Sequence, residues 1–541
     1  MTAPASPIDG GEATGKRLVV FTGDPVYSVR KGIVEINDAV PGIEWLILWQ
    51  APRKSLVQLV RNQWRNLRRN GWRWIPYQAA DIWQRLTRSN ATELRPQDPG
   101  NRYAMASLRA MPNVRVERFD SIHAPAAQDA VKAFAPTLGL SLAAPILRTS
   151  LFSLPRLGTI NLHKGRLPDY RGMPPAFWEL WHDEGSVGCS IHSVDAKLDT
   201  GELIKADSIN RQAFSTVRGL QLQLDELGVR LMREAVVERL GGQHTGSPQP
   251  AGGRTFRKPT LPQVGELNRR LRALERPSAS TTKRMARDLV AVAAYRAWRS
   301  GVSRVLAPRI TVILYHRVSD DVRDNLTVGV EQFERQMSLL RQHCQPLTLN
   351  EVLGSAQVAR SDRPLVAVTF DDGYLDNCTH AAPILLRHGI PAAFFVSTGI
   401  VDSDRQFPHD LRRGNPHIPT MRWSQLRQMR DWGFAIGSHS VSHIDCAQES
   451  AERVQAELLQ SKADLERELG ILSPVFAYPY GGRQHMTAAR LEMVKQAGYS
   501  GCLSAYGGSN LRTVDRFNVR RRGIHWEFSD KAFLMECLGL R

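Results

Sequence analysis

Asn161 and His163 sit at the end of a short β-type run, GTINL from Gly158. Side chains alternate along a strand, so the two share one face and offer an amide donor and an imidazole to one reacting atom. Asp199 follows a second strand, VGCSIHSV from Val187, and precedes Thr200 and Gly201. A carboxylate near an imidazole favours its protonated form and fixes its orientation. Acyl transfer to an amine needs such parts: donors where charge develops on the carbonyl oxygen, and a route for the proton from the attacking amine to the departing nitrogen.

A second group lies further along: VTFDDGYLDN from Val368, GSHSVSH from Gly437 and FAYPYGG from Phe476. His439 and His443 are four residues apart, close enough to face one centre from a helical turn or tight loop. Two neutral imidazoles and a carboxylate form a common divalent-metal shell that leaves room for water. Such an ion acidifies water and polarises an amide carbonyl. Asp371 and Asp372 are adjacent at a strand end, so one can bind metal while the other accepts a proton.

The first group resembles the folate-dependent formyltransferases. Asn161-x-His163, the leucine-proline run with Tyr170-Arg171-Gly172, and Leu198-Asp199-Thr200-Gly201 occur in that family's order. The resemblance covers roughly residues 17 to 265 and rests on several ordered motifs. It implies 10-formyltetrahydrofolate as donor and a catalytic triad of Asn161, protonated His163 and Asp199, with Tyr170 and Arg171 at the substrate. The second group is similar to the polysaccharide deacetylases, from about residue 305 to 541. That resemblance implies Asp371 as base, Asp372, His439 and His443 around a divalent metal, Zn first, and the Tyr480 N–H at the oxyanion. His525 in RRGIHWEF is the candidate general acid, and His316 in LYHRV stands where a barrel pocket forms.

Each residue taken alone reads more often as structural; the ordered sets carry the chemistry. The sequence also departs from both patterns. LSLAAPILRTSLF, from Leu140, lacks the glycine common in that folate loop, and nothing marks His192 as more than a core or surface residue. The Arg that often lies two positions before Pro-Tyr, and orients the base, is Ala477 here, with Arg483 as a substitute.

Positioning these groups requires two α/β domains. In the front half LVVFT, WLILW, VRVERF, LGLSL and GTINL alternate with helix-length segments, which predicts a doubly wound, mainly parallel open sheet. TGDPVYS follows the first strand in place of GxGxxG, so the dinucleotide fingerprint is absent. A helix capped by Ser215 or Thr216 should stop at Gly241-Gly242. The back half restarts at ITVILYHRV and alternates through LVAVTF, AAFFV, FAIG and VFAY, matching the distorted (β/α) barrel implied by the resemblance. Expected boundaries are a disordered lead-in over 1–16, a formyltransferase domain over 17–264, a helical linker over 265–305 and a deacetylase domain over 306–541.

Among 541 residues no run of about eighteen apolar residues occurs, so no membrane-spanning helix is expected. The first residues do not read as a secretory signal. Six scattered cysteines form no CxxC pair and fit a reducing, cytoplasmic setting. The net charge of +18 favours anionic partners without choosing among them. A basic segment from Arg53, RKSLVQLVRNQWRNLRRNGWRWIPY, reads first as a surface helix, then as a contact for a membrane or lipid-linked substrate, and last for nucleic acid. The combined reading is a bifunctional enzyme acting on an amino sugar or sugar nucleotide. The alternatives are an aminoacyl-tRNA formyltransferase, or a formyltransferase carrying a non-catalytic, carbohydrate-binding deacetylase-like domain.

Overall fold

The computed structural model describes residues 16–51, 63–68, 71, 99–243, 246–273, 293, 309–354, 361, 363–413, 415, 417–511 and 514–539. The lead-in, nearly all of the basic Arg53 segment and most of the expected linker lie outside these residues. The chain divides into two compact units. One contains 103–211 and 220–267 with the elements before residue 51; the other contains 212–219 and the residues from 309 onward.

The first unit is built on strands β1 (Lys16–Thr22), β2 (Ile43–Gln50), β3 (Val114–Phe119), β4 (Leu138–Ser141), β5 (Thr159–His163), β6 (Ser186–Ser193) and β7 (Leu203–Asn210). Their order in the sheet is β3-β2-β1-β4-β5-β6-β7. The first five run parallel, and β6 and β7 are antiparallel to their neighbours. Leu18, Val19, Val20 and Phe21 in β1 are all fully buried, as expected when helices cover both faces of a parallel sheet. Helix α1 (Tyr27–Ala39) buries Val29, Ile33 and Ile36 at helical spacing. Helix α2 (Pro125–Phe134) puts Ala127 and Val131 into a cluster with Val19, Phe21, Leu46 and Leu48. Helix α3 spans Val217–Leu240. The Thr216 hydroxyl accepts from the Gly219 N–H at 3.0 Å, so Thr216 is the cap; Gly242, at φ 81°, lies just beyond the end. The strand order reverses at β1, and the crevice past the carboxyl ends of β1, β4 and β5 is where such sheets bind ligands.

The main sheet of the second unit holds nine strands: β8 (Arg309–Tyr315), β9 (Gln345–Leu347), β10 (Leu365–Phe370), β11 (Ala392–Val396), β12 (Ala435–Ser438), β13 (Val475–Ala477), β14 (Gly501–Leu503), β15 (Asn510–Leu511) and β16 (Arg521–Gly523). From β8 through β10, β11, β12, β13 and β14 each strand runs parallel to the next. A parallel bridge from Leu503 to Val519 and the parallel pairing of β16 with β8 bring the sheet back toward its first strand. This is the curled, distorted barrel expected for this half.

Side-chain alternation explains what the barrel aims at its mouth. One buried cluster takes Ile310 and Val312, Leu365 and Ala367, Ala393 and Phe395, Val475 and Ala477, and Val519. Continuing the same parity by even steps reaches His316, Asp371 and Arg521, and on β12, where Gly437 pairs with Phe395, it reaches His439. The inward face is apolar along the barrel and chemically active only at the carboxyl ends of the strands.

Candidate active sites

In the first unit β5 and β6 pair antiparallel, with Asn161 opposite His192 and His163 opposite Ser190. Asn161 Nδ2 lies 3.0 Å from His192 Nε2, and His192 Nδ1–H donates to the Ser193 carbonyl at 2.8 Å. His192 therefore presents Nε2 as an acceptor and orients the Asn161 amide, a role the sequence did not reveal because it depends on strand pairing. Asp199 closes the group: Oδ2 lies 3.5 Å from His163 Nδ1 and Oδ1 lies 3.6 Å from His192 Nε2. Asn161, His163 and Asp199 thus come together as anticipated, with His192 among them.

Two opposing influences act on the protonation of His163. Burial, the largest influence, lowers its proton affinity, and it outweighs the opposing charge of Asp199 and the hydrogen bond to Tyr170. Nε2–H donates to the Tyr170 carbonyl at 2.7 Å, which leaves the Nδ1 lone pair facing Asp199. For Asp199, burial pushes upward, but His192, His163 and the Gly172 N–H together hold the carboxyl below its ordinary range.

Tyr170 and Arg171 lie beside the group and are tied to it by backbone and side-chain contacts. The Tyr170 hydroxyl donates to Glu184 at 2.8 Å and its ring stacks on Phe256 at 5.3 Å. Arg171 bonds Gln249, which donates in turn to the Asp199 and Gly201 carbonyls. The Gly172 N–H reaches Asp199 Oδ2 at 3.2 Å. These contacts hold His163 and Asp199 in place. Ala143 takes φ 50° in the loop that lacks the glycine. Gly165 has a steric reason to be glycine: a Cβ there would lie 2.6 Å from His163 Nε2 and 2.5 Å from the Tyr170 carbonyl oxygen. Gly165→Ala should therefore displace His163 and lower formyl transfer about 100-fold with the fold retained. Steady-state kinetics alongside circular dichroism checks this.

In the second unit Asp371 and Asp372 are both 2% exposed, yet their surroundings differ. Asp371 receives both ends of the Arg521 guanidinium, at 2.6 and 2.7 Å. Burial pushes Asp371 upward, but Arg521, with His439 and His316, holds it below the ordinary carboxylate range. Arg521 thus takes the place of the arginine missing at Ala477. Arg483, the substitute expected from sequence, lies instead over the Tyr506 ring at 5.1 Å.

Asp372 has both carboxylate oxygens buried without a hydrogen-bond partner. His439 Nε2 lies 3.5 Å and His443 Nε2 3.3 Å from its Oδ1. His439 Nδ1–H donates to the Ala477 carbonyl at 2.8 Å, which turns the Nε2 lone pair toward Asp372. The loop between the two histidines is fixed by Glu457, on a helix spanning Ala451–Leu469, which accepts from the Val441 and Ser442 N–H groups at 2.8 and 2.9 Å. A buried carboxylate with no donor, facing two imidazole nitrogens, fits a divalent cation. His409, unmarked in the sequence reading, also faces Asp372, with Nε2 3.6 Å from Oδ2.

Tyr480 stands edge-on to His443 at 4.9 Å and is 41% exposed. Asp199, Asp372, His443 and Tyr480 all have positive φ, between 54° and 72°. Such conformations cost about 1–3 kcal/mol each and cluster at functional sites. His316 is half-buried, and its charge is among those lowering both Asp371 and Asp372. His525 follows β16 and places its ring edge-on to Phe528 at 4.7 Å; the residue of that segment that reaches Asp371 is Arg521.

Residues 97–236 match the family model for formyl transferase, and residues 359–502 match that for polysaccharide deacetylase. The chain joins a formyltransferase domain to a polysaccharide deacetylase domain. Both families are enzymes. The deacetylase half is 24% identical over 227 residues to YxkH of Bacillus subtilis (strain 168), a protein named for polysaccharide deacetylase, covering 42% of this chain and 75% of that protein. The formyltransferase half is 32% identical over 155 residues to methionyl-tRNA formyltransferase of Halorhodospira halophila (strain DSM 244 / SL1), covering 27% of this chain and 50% of that one. The chain thus spans about half the length of that relative. Among solved structures, the deacetylase PplD of Streptococcus pyogenes, in complex with acetate, is 22% identical with a TM-score of 0.37, covering 43% of this chain and 99% of that one.

Proposed function

We propose that the protein is a bifunctional amino-sugar-modifying enzyme: it transfers a formyl group from 10-formyltetrahydrofolate to an amine and hydrolyses an N-acyl amide with a metal-activated water. The observation that carries this reading is that each unit brings a carboxylate and imidazoles together, Asp199 with His163 and His192 in one and Asp372 with His439 and His443 in the other. An amino sugar suits both halves, since each acts on acyl groups carried by nitrogen. The methionyl-tRNA formyltransferase relative is matched over half its length, and here the chain continues into a deacetylase domain.

In the front site the Asn161 amide faces the formyl oxygen as charge develops there. His163, neutral as substrate arrives, takes the proton of the attacking amine on Nδ1 beside Asp199 as the new carbon–nitrogen bond forms, and passes it to the folate nitrogen as the bond from that nitrogen to the formyl carbon breaks. In the back site Asp372, His439 and His443 hold the divalent ion, zinc being the first choice for nitrogen and carboxylate donors. That ion supplies Lewis acidity to the amide carbonyl and acidifies water. Asp371, kept ionised by Arg521, accepts the proton of the attacking water. The Tyr480 N–H faces the developing oxyanion. His525 gives the departing amine its proton, and His316 lines the pocket at the end of the first barrel strand. The folate donor and six free cysteines support a cytoplasmic location. No described helix is long and apolar enough to cross a membrane, and a lipid-linked sugar remains a substrate compatible with the basic charge.

Chelation should silence amide hydrolysis, and zinc, cobalt or manganese should restore it. Asp372→Asn should carry less metal by elemental analysis. Hydrolysis that persists in metal-free protein would rule out the reading of the back site.

A further inference from the structure

We propose that His409 is a further protein ligand to the divalent ion, added to Asp372, His439 and His443; the inference rests on the metal-dependent reading of the back site. His409 lies on a short helix, Pro408–Arg413, within an excursion of the chain between β11 and the helix Trp423–Asp431. That excursion is packed firmly against the loop that carries Asp372. Tyr374 forms an antiparallel bridge with Thr420, the Leu375 N–H donates to the Pro419 carbonyl, and the Met421 N–H donates to the Gly373 carbonyl. Tyr374, Ile400, Phe407 and Ile418 form a buried cluster beneath it.

This packing aims the imidazole. The Phe407 ring stacks on His409 at 5.2 Å and stands edge-on to His443 at 5.4 Å. His409 Nε2 is 3.6 Å from Asp372 Oδ2, whereas His439 and His443 approach Oδ1. One ligand atom from each of Asp372, His409 and His443 lies within 4.8 Å of the other two. Donors about 2.0–2.2 Å from one ion are at most about 4.4 Å apart, so a small inward shift closes these three around one ion, and His439 approaches it through Asp372 Oδ1 at 3.5 Å.

The competing role is that of a structural partner to Tyr374, whose Oη lies 2.8 Å from His409 Nε2. Tyr374, however, gives its own proton to Asp410 Oδ2 at 2.7 Å, and a bond to Tyr374 alone leaves Asp372 Oδ2 buried and unsatisfied. At 3.6 Å the His409–Asp372 approach is too long for a hydrogen bond and suits two donors awaiting a shared ion. With the Tyr374 proton on Asp410, the 2.8 Å contact makes His409 Nε2–H the donor to Tyr374 Oη in the ion-free protein, so ligation moves that proton to Nδ1, gives up this hydrogen bond and turns the Nε2 lone pair to the ion.

The test uses the full chain, stripped of metal and titrated with Co(II) against a competing chelator. His409→Ala is expected to weaken Co(II) binding at least about tenfold and to alter its visible absorption bands. Tyr374→Phe, which removes only the structural partner, should keep both close to wild type. Should His409→Ala fail to fold, His409→Gln carries the same test at nearly constant volume. Wild-type affinity and spectrum in the His409 variant would overturn the proposal, as would equal losses in the His409 and Tyr374 variants. If His443→Ala loses the ion while the His409 variant retains it, the three-ligand site stands and His409 alone is excluded; if neither variant changes Co(II) binding, the metal-dependent reading fails as well.

Discussion

Asp371→Asn should keep its full complement of metal and lose amide hydrolysis by about 10²- to 10⁴-fold, the range expected for removal of a positioned general base. The reason is the division of labour between two adjacent carboxylates. Asp372 is buried with both oxygens unbonded and faces His439 and His443, whereas Asp371 is tied to Arg521 through both of its oxygens. The amide introduced by Asp371→Asn still accepts from Arg521 through its oxygen but cannot take a proton from water. Burial raises Asp371, and Arg521 with the neighbouring histidines brings the balance below the ordinary carboxylate range. The base should therefore stay in working form into mildly acidic solution, with activity lost only as pH falls through that depressed value. Metal content by elemental analysis, measured beside hydrolysis rates, separates the two carboxylates. Loss of metal in Asp371→Asn equal to that in Asp372→Asn would show that the roles are shared.

His163→Ala should lower formyl transfer by about 10²- to 10³-fold, the cost of losing one transition-state donor, and leave amide hydrolysis unchanged. His163 is the one side chain joined both to Asp199, at 3.5 Å, and to the Tyr170 carbonyl, at 2.7 Å. Its removal takes away the proton acceptor and leaves Asp199 with His192 alone among the imidazoles. The back site draws its groups from the other compact unit, so its rate should not respond. Rates for both reactions on one folded preparation test this; a matching fall in hydrolysis would contradict separate sites.

The fold was legible where burial repeats with a fixed period. LVVFT, LVAVTF and AAFFV read as strands because parallel strands covered on both faces are apolar throughout, and each forms one. The site was legible where function compresses residues into short runs: Asn161 with His163, Asp371 with Asp372, His439 with His443. What escaped depends on contacts between distant segments. Arg521 lies 150 residues beyond Asp371 and meets it only because β16 returns beside β8. His192 becomes a partner of Asn161 through the β5–β6 register. His409 arrives on an excursion that no periodicity announces. The balance at His163 was half legible: a neighbouring carboxylate is visible in a motif, whereas the burial that lowers its proton affinity is not.

One measurement bears most directly on the bifunctional account. The full chain, loaded with metal, is given an N-acetylated amino-sugar nucleotide and 10-formyltetrahydrofolate, and the products are identified by mass spectrometry. A deacetylase frees the amine whose lone pair attacks the formyl carbon, and a shared chain keeps that amine near the second site. Wild type should yield the N-formyl sugar, one CH₂ lighter than the substrate. His163→Ala should stop at the free amine, and Asp371→Asn should leave the acetyl sugar intact yet formylate added amine normally. The account would be contradicted if the wild type released no amine from any N-acetyl sugar nucleotide while removing formyl groups from the N-formyl product.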